Sequence, residues 1–263
     1  MMQVDELERS ARDLLDSPGG RLLDSLRGHL RTRLGVLSIL FLLGFLAAFP
    51  LAGDLIAWLV EDSGYVPEGT EVVILSPIEL LALKLRISAF AGLSLCVLLL
   101  LSDLILRGVT HPAVKERIEE AGVEVPRPGL AMMLGISSAV LLVIISQWWT
   151  LGIMVPVVLD HLAADAASSG LDTTWRLSAF IGFVLNLCFA GLIAFQTPLA
   201  TLFAIRNGIV ESRVIRAHRR HVWFAAVVAG ALLSPPDPLS MILVSAPIII
   251  LFEVALLIDT ILR

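Results

Sequence analysis

The chain has 263 residues, 57% of them apolar and 16% charged, and its mean hydropathy is +0.89. A soluble domain is nearer half apolar, so this composition excludes an ordinary water-soluble globule. The net charge of −5 averages over two sides of a membrane and gives no basis for nucleic-acid binding. The two cysteines, Cys96 and Cys188, lie inside apolar blocks, with no disulfide framework and no metal-ligand spacing. No metal and no cofactor is expected.

In chain order, residues 1–33 form a charged tail without the pattern of a cleaved signal peptide. The first apolar block runs from about Leu34 to Leu51. A stretch from Gly53 to Pro77 follows, rich in Asp and Glu and without Lys or Arg; within it Leu55–Val60 reads as a short interfacial helix. The second block spans about 78–106, the third 130–155 with Pro156 behind it, and the fourth 177–205. An acidic, small-residue stretch, Asp160–Arg176, separates the third from the fourth, and the strongly basic Arg206–His221 follows the fourth. The fifth block, Val222–Leu233, is short. Ser-Pro-Pro-Asp-Pro (Ser234–Pro238) makes a tight turn before the sixth, about 239–258. These lengths predict an all-α polytopic membrane protein with six transmembrane helices in one domain, residues 34–263.

Sixteen of the 19 Lys and Arg residues fall on one side of this topology. The positive-inside rule then places both termini in the cytoplasm. The fifth block is anomalous: twelve residues give about 18 Å of helix against a hydrocarbon core of about 30 Å. Either the helix extends back through His218–His221 with snorkelling side chains, or the bilayer thins around it.

Catalysis is not expected. H-E-x-x-H, G-x-S-x-G and phosphate-cradling loops are all absent from the sequence. Polar residues inside the spans carry more information, because a charge at the bilayer centre costs about 2.5–3.5 kcal/mol on insertion scales. They are Glu79, Lys84, Arg86 and Asp103 in the second span, Asn186 and Gln196 in the fourth, and Glu253 and Asp259 in the sixth. Glu79 and Lys84 are five apart and poorly placed for each other, so each needs another partner. Asp103 and Arg107 can pair on one face. Gln196 precedes Pro198, which frees a backbone carbonyl; Gln196 either satisfies that carbonyl or lines a cavity. Glu253 has no local partner and points to a functional or an interhelical role.

Several of these segments together resemble the TatC family, the multispanning receptor subunit of the twin-arginine protein translocase. Leu232–Ser240 (Leu-Leu-Ser-Pro-Pro-Asp-Pro-Leu-Ser), then Ala246-Pro247 and Phe252-Glu253, is similar to the family's C-terminal signature in order and spacing. Leu75-Ser-Pro-Ile-Glu-Leu, Lys84 and Phe90-Ala-Gly-Leu resemble the start of its second span, making Pro77, Glu79 and Lys84 motif positions alongside Pro235, Pro236 and Asp237. Phe195-Gln-Thr-Pro resembles its fourth-span motif, which usually carries Glu where Gln196 stands. Leu30-Arg-Thr-Arg-Leu resembles the motif that opens its first span, normally preceded by an acidic residue where this chain has His29.

The resemblance implies a concave bundle in a prokaryotic plasma membrane that forms oligomers. It implies signal-peptide binding around His29, Arg31, Arg33 and Glu116, with Glu116 the surviving carboxylate of the receptor surface. It implies docking of single-span TatA/TatB-like subunits near Gln196, Pro198 and Glu253, and energy from the proton-motive force. A carboxylate is the natural partner for a guanidinium, and His29 does not supply one. A family-derived scaffold without receptor activity and a small-solute transporter are the alternative functions.

Overall fold

The computed structural model describes residues 18–67, 69–110, 128–170, 174–206, 210–233 and 238–261. Helix α1 (Pro18–Ala57) passes through Pro50 and runs on as a π-helical turn, Trp58–Asp62. After the three-residue strand β1 (Glu71–Val73) comes α2 (Glu79–Thr110). Helix α3 (Pro128–Trp149) continues through a π-helical turn, Thr150–Met154, into α4 (Val155–Ser168). Strand β2 (Thr174–Arg176) leads into α5 (Leu177–Phe195), and α6 (Thr197–Arg206) follows after one residue. A short α7 (Ser212–Ala217) precedes α8 (Arg219–Leu233) and α9 (Pro238–Ile261). Counting α3–α4 and α5–α6 as single crossings gives six spans. Five helical segments are long and apolar enough to cross a membrane, and α8, at 15 residues, is the short sixth.

Several expected boundaries move, for identifiable reasons. The third span does not stop at Val155. Pro156 lacks a backbone donor, but the π-helical turn immediately before it reroutes the hydrogen bonds, and the helix reaches Ser168. The acidic stretch is therefore helical as far as Ser168. Leu55–Val60 is not a separate interfacial helix but the continuation of α1. The fourth span keeps its expected bounds, Leu177–Ile205, with a break in the helix at Gln196. The fifth begins at Arg219, which takes in Arg219–His221 as the extended reading supposed, and still measures only about 22 Å.

Helix α5 is the hub. Eleven of its 19 residues are buried, and it meets α2, α3 and α9. Helix α1 is an edge helix packed on α2; between Arg33 and Ala57 just Gly44, Ala52 and Ile56 are buried. The two cross closely at Gly44 and Gly92. A Cβ on Gly92 would lie 2.6 Å from the Phe41 carbonyl oxygen, so a larger residue would force the helices apart. The main apolar core, including Leu59, Leu83, Val158, Phe180 and Ile181, lies at the end of the bundle that carries the strands.

That end is tied by one carboxylate. β1 and β2 pair in parallel, with Val72 opposite Trp175. Glu79, at the start of α2, has its side chain only 1% exposed. Its Oε1 accepts from the Ser178 backbone N–H at 2.7 Å and from Arg176 Nε at 3.1 Å. Its Oε2 accepts from the Leu75 N–H at 3.0 Å. The carboxylate thus caps the first turn of α5 while holding the end of β2 and the chain after β1. Ser178 N–H and Leu75 N–H are backbone donors that lose their acceptor without it. Glu79→Ala should lower the thermal midpoint in detergent well below that of Arg176→Ala, because the half-exposed Arg176 is one donor of three and its loss leaves the carboxylate on both backbone N–H groups. Equal midpoints for the two variants in a thermal-shift assay would show that the carboxylate does not hold this end.

Candidate functional site

The first candidate region is the N-terminal part of α1. At 40 residues this helix is about 60 Å long, roughly twice the hydrocarbon core. The apolar block of the sequence begins at about Leu34, within this helix. The turns before that point therefore extend beyond the block, and His29 and Arg31 lie on them. Arg33 itself is half-buried. Glu116 lies outside the described residues, as do Pro235, Pro236 and Asp237.

The second region is the break between α5 and α6. Pro198 cannot donate to the Ala194 carbonyl, and the hydroxyl of Thr197 does so instead, at 2.6 Å. Gln196 is therefore not needed for that carbonyl. It turns away and is 4% exposed; its Nε2 donates to the Ala139 carbonyl on α3 at 3.4 Å. Its Oε1 has no hydrogen-bond partner among the described residues. Gln196 thus faces the α3 seam instead of lipid, and Pro198 is buried beside it.

The third region is the opposite end of the bundle from the strands, where α7, α8 and α9 meet. Glu253 receives the Trp223 indole N–H at 3.0 Å, with Arg219 Nη1 at 3.7 Å, so it does bridge helices, within this chain. Asp259 is 2% exposed. Its Oδ2 accepts from Ser212 Oγ at 2.6 Å and from Arg216 Nη2 at 3.0 Å, and Arg216 also donates to Thr260 Oγ1 at 2.8 Å. This fastens the basic segment around α7 to the last helix.

The remaining motif positions are structural. Pro77 sits in the turn before α2. Lys84 turns toward α1, where a Cβ on Gly53 would be 3.2 Å from its Nζ. Among the described residues, the polar positions in the spans do not converge on one channel; the side chains of Asp103 and Arg107 lie outside the described residues. The clasps at Glu79 and Asp259 were missed in sequence because their partners stand 97 and 43 residues away. The only signal for either was the general cost of an unpaired charge in a span.

Comparison with known proteins gives these features a frame. The family described as Sec-independent protein translocase protein (TatC) matches residues 26–247. TatC of Halothiobacillus neapolitanus is 26% identical over 238 residues, covering 88% of this chain but 61% of that longer protein. TatCy of Bacillus subtilis is 24% identical over 235 residues, covering 88% and 85% respectively. A crystal structure of the twin-arginine translocase receptor TatC shares the fold with a TM-score of 0.71 and 23% identity, covering 88% of this chain and 96% of that one. With that profile matched across most of its length and that fold reproduced, the chain belongs to the TatC family.

Proposed function

We propose that this protein is the membrane receptor subunit of a Sec-independent, twin-arginine translocase, binding signal peptides of folded cargo. The observation that carries the reading is that α1 starts at Pro18, well before its apolar block at about Leu34, and that His29, Arg31 and Arg33 stand just ahead of that block. The basic-residue count puts this end in the cytoplasm, where signal peptides arrive. Both termini are assigned to the cytoplasm on the same ground, in a prokaryotic plasma membrane as the family resemblance implies. Glu116, in the next loop on that side, supplies the carboxylate for a guanidinium pair. Single-span partner subunits of the TatA/TatB kind dock near Gln196, Pro198 and Glu253. Gln196 retains an unsatisfied acceptor, and Glu253 is partly exposed beside the short α8. The chain assembles as an oligomer. Its role is recognition and assembly, and no catalytic step is assigned to it.

The test is binding of a twin-arginine signal peptide and its twin-lysine variant to the protein in lipid nanodiscs, read by fluorescence anisotropy. The arginine peptide should bind about tenfold more tightly, because lysine cannot form the bidentate pair. Indistinguishable affinities would sink the receptor reading. Glu116→Ala should abolish the preference. His29→Glu should strengthen it by restoring a second carboxylate, and no gain would mean that His29 stands outside the peptide's path.

A further prediction concerns α8. The turn Ser234–Pro238 contains three prolines and must reach water or headgroups. Only about 22 Å of helix separates it from Arg219. The bilayer around α8 and α9 is therefore expected to be thin, lowering the barrier for a polar cargo. Inserting four leucines after Ala226 should restore normal thickness and impair translocation into vesicles. If the insertion variant transports cargo normally with its topology intact, thinning has no part in the mechanism.

A further inference from the structure

Helices α7 and α8 meet at His218 without losing their run of helical hydrogen bonds. The His218 N–H donates to the Val214 carbonyl at 3.0 Å, and the Val222 N–H donates to the His218 carbonyl at 3.4 Å. One face can therefore be followed through both helices. Arg213, Ala217, Arg220, Phe224, Val228 and Leu232 stand on it at helical spacing, and all six are exposed. The opposite face is turned to α9. There Arg216 pairs with Asp259, Arg219 with Glu253, and Gly230 lies tightly against the Met241 carbonyl.

The outer stripe changes character along its length. At one end are two guanidiniums, Arg213 and Arg220, and neither has an ion pair among the described residues. Glu211, the nearest carboxylate in sequence, contacts neither of them. Seven residues, about 10 Å of helix, separate the two arginines, a gap that their long side chains can close. Below Arg220 the stripe is apolar, with Phe224 70% and Leu232 80% exposed. Helix α8 is one of the six crossings, so this apolar part faces acyl chains. The charged end then stands at the membrane boundary, where basic side chains settle.

The chemistry of the stripe selects its ligand. A guanidinium only donates, and its best partners are carboxylates and phosphates. A soluble phosphate or an acidic peptide would match the charged end and leave Phe224, Val228 and Leu232 unmatched. A zwitterionic lipid would bring its own cation beside two unpaired arginines. A phospholipid with a net negative headgroup matches both parts at once.

We infer that the outer stripe of α7 and α8 binds an anionic phospholipid, its phosphate held by Arg213 and Arg220 and an acyl chain lying along Phe224, Val228 and Leu232. The site uses neither Gln196 nor Glu253, and it holds whether or not the chain binds signal peptides.

The experiment adds dioleoylphosphatidylglycerol or dioleoylphosphatidylcholine to the delipidated full chain in detergent and reads bound lipid by native mass spectrometry. Phosphatidylglycerol should be retained about tenfold better. Arg213→Gln with Arg220→Gln should erase that preference; both side chains are exposed and unpaired, so the fold does not depend on them. Lys115→Gln with Arg117→Gln removes two charges elsewhere in the chain and should leave the preference intact. Phe224→Ser, which keeps both arginines, should lower retention of phosphatidylglycerol several-fold. Equal retention of the two lipids by the unmodified protein would overturn the inference, as would a preference that survives the double arginine variant. Equal loss in the Lys115/Arg117 variant would reduce the effect to overall charge. Full retention by Phe224→Ser, or competition by soluble glycerophosphoglycerol as strong as by the whole lipid, would make the site one for a free phosphodiester. Each of these would also overturn it.

Discussion

The hydrocarbon core contains no water, so a polar group placed in it is costly unless the protein itself supplies a partner. The Glu79 carboxylate shows how much of the fold hangs on this rule. It fills the first turn of α5, holds the Arg176 guanidinium and receives the N–H of Leu75. In doing so it fixes α2 and α5 side by side with their starts level. The main apolar core, with Leu83, Phe180 and Ile181, is built directly against that junction. A different register between α2 and α5 would also misplace Arg86 relative to Gly182 and Asn186.

The same rule explains how the helices tolerate their prolines. Pro156 follows a π-helical turn that reassigns the backbone bonds, and Pro198 follows Thr197, whose hydroxyl takes over the Ala194 carbonyl. The second solution leaves Gln196 at liberty to reach α3. A glutamine in that position keeps the polar character of the α5–α6 break without introducing a charge that would need a counter-ion. At the other end of the bundle, Asp259 draws Ser212 and Arg216 inward and so fixes the basic segment beside α9. The bundle is thus closed by a carboxylate at each end, while α1 stands at its edge on α2, close-packed at Gly44 and Gly92.

Much of the architecture was legible before any coordinates. Block lengths gave six crossings, and the spacing between Arg216–His221 and the Pro-rich turn gave a short fifth span. The motifs carried the family. These features are local, or are sums over local composition, and a bilayer of fixed thickness turns them into structure. Boundaries were less legible, because prolines that end helices in water do not end them in lipid, as Pro50, Pro156 and Pro247 show.

What the sequence by itself determined, then, was which segments cross the membrane and which polar residues need partners. Tertiary structure alone decided who those partners are and which face of each helix is buried. The reason lies in the solvent. Lipid-facing and helix-facing surfaces are both apolar, so periodicity does not mark the inner face of α5 or the outer face of α1 as it would in water. The partners of Glu79, Arg86 and Asp259 lie 97, 100 and 43 residues away in sequence. They meet because the helices that carry them stand side by side in a slab, a fact about packing that no stretch of the chain contains.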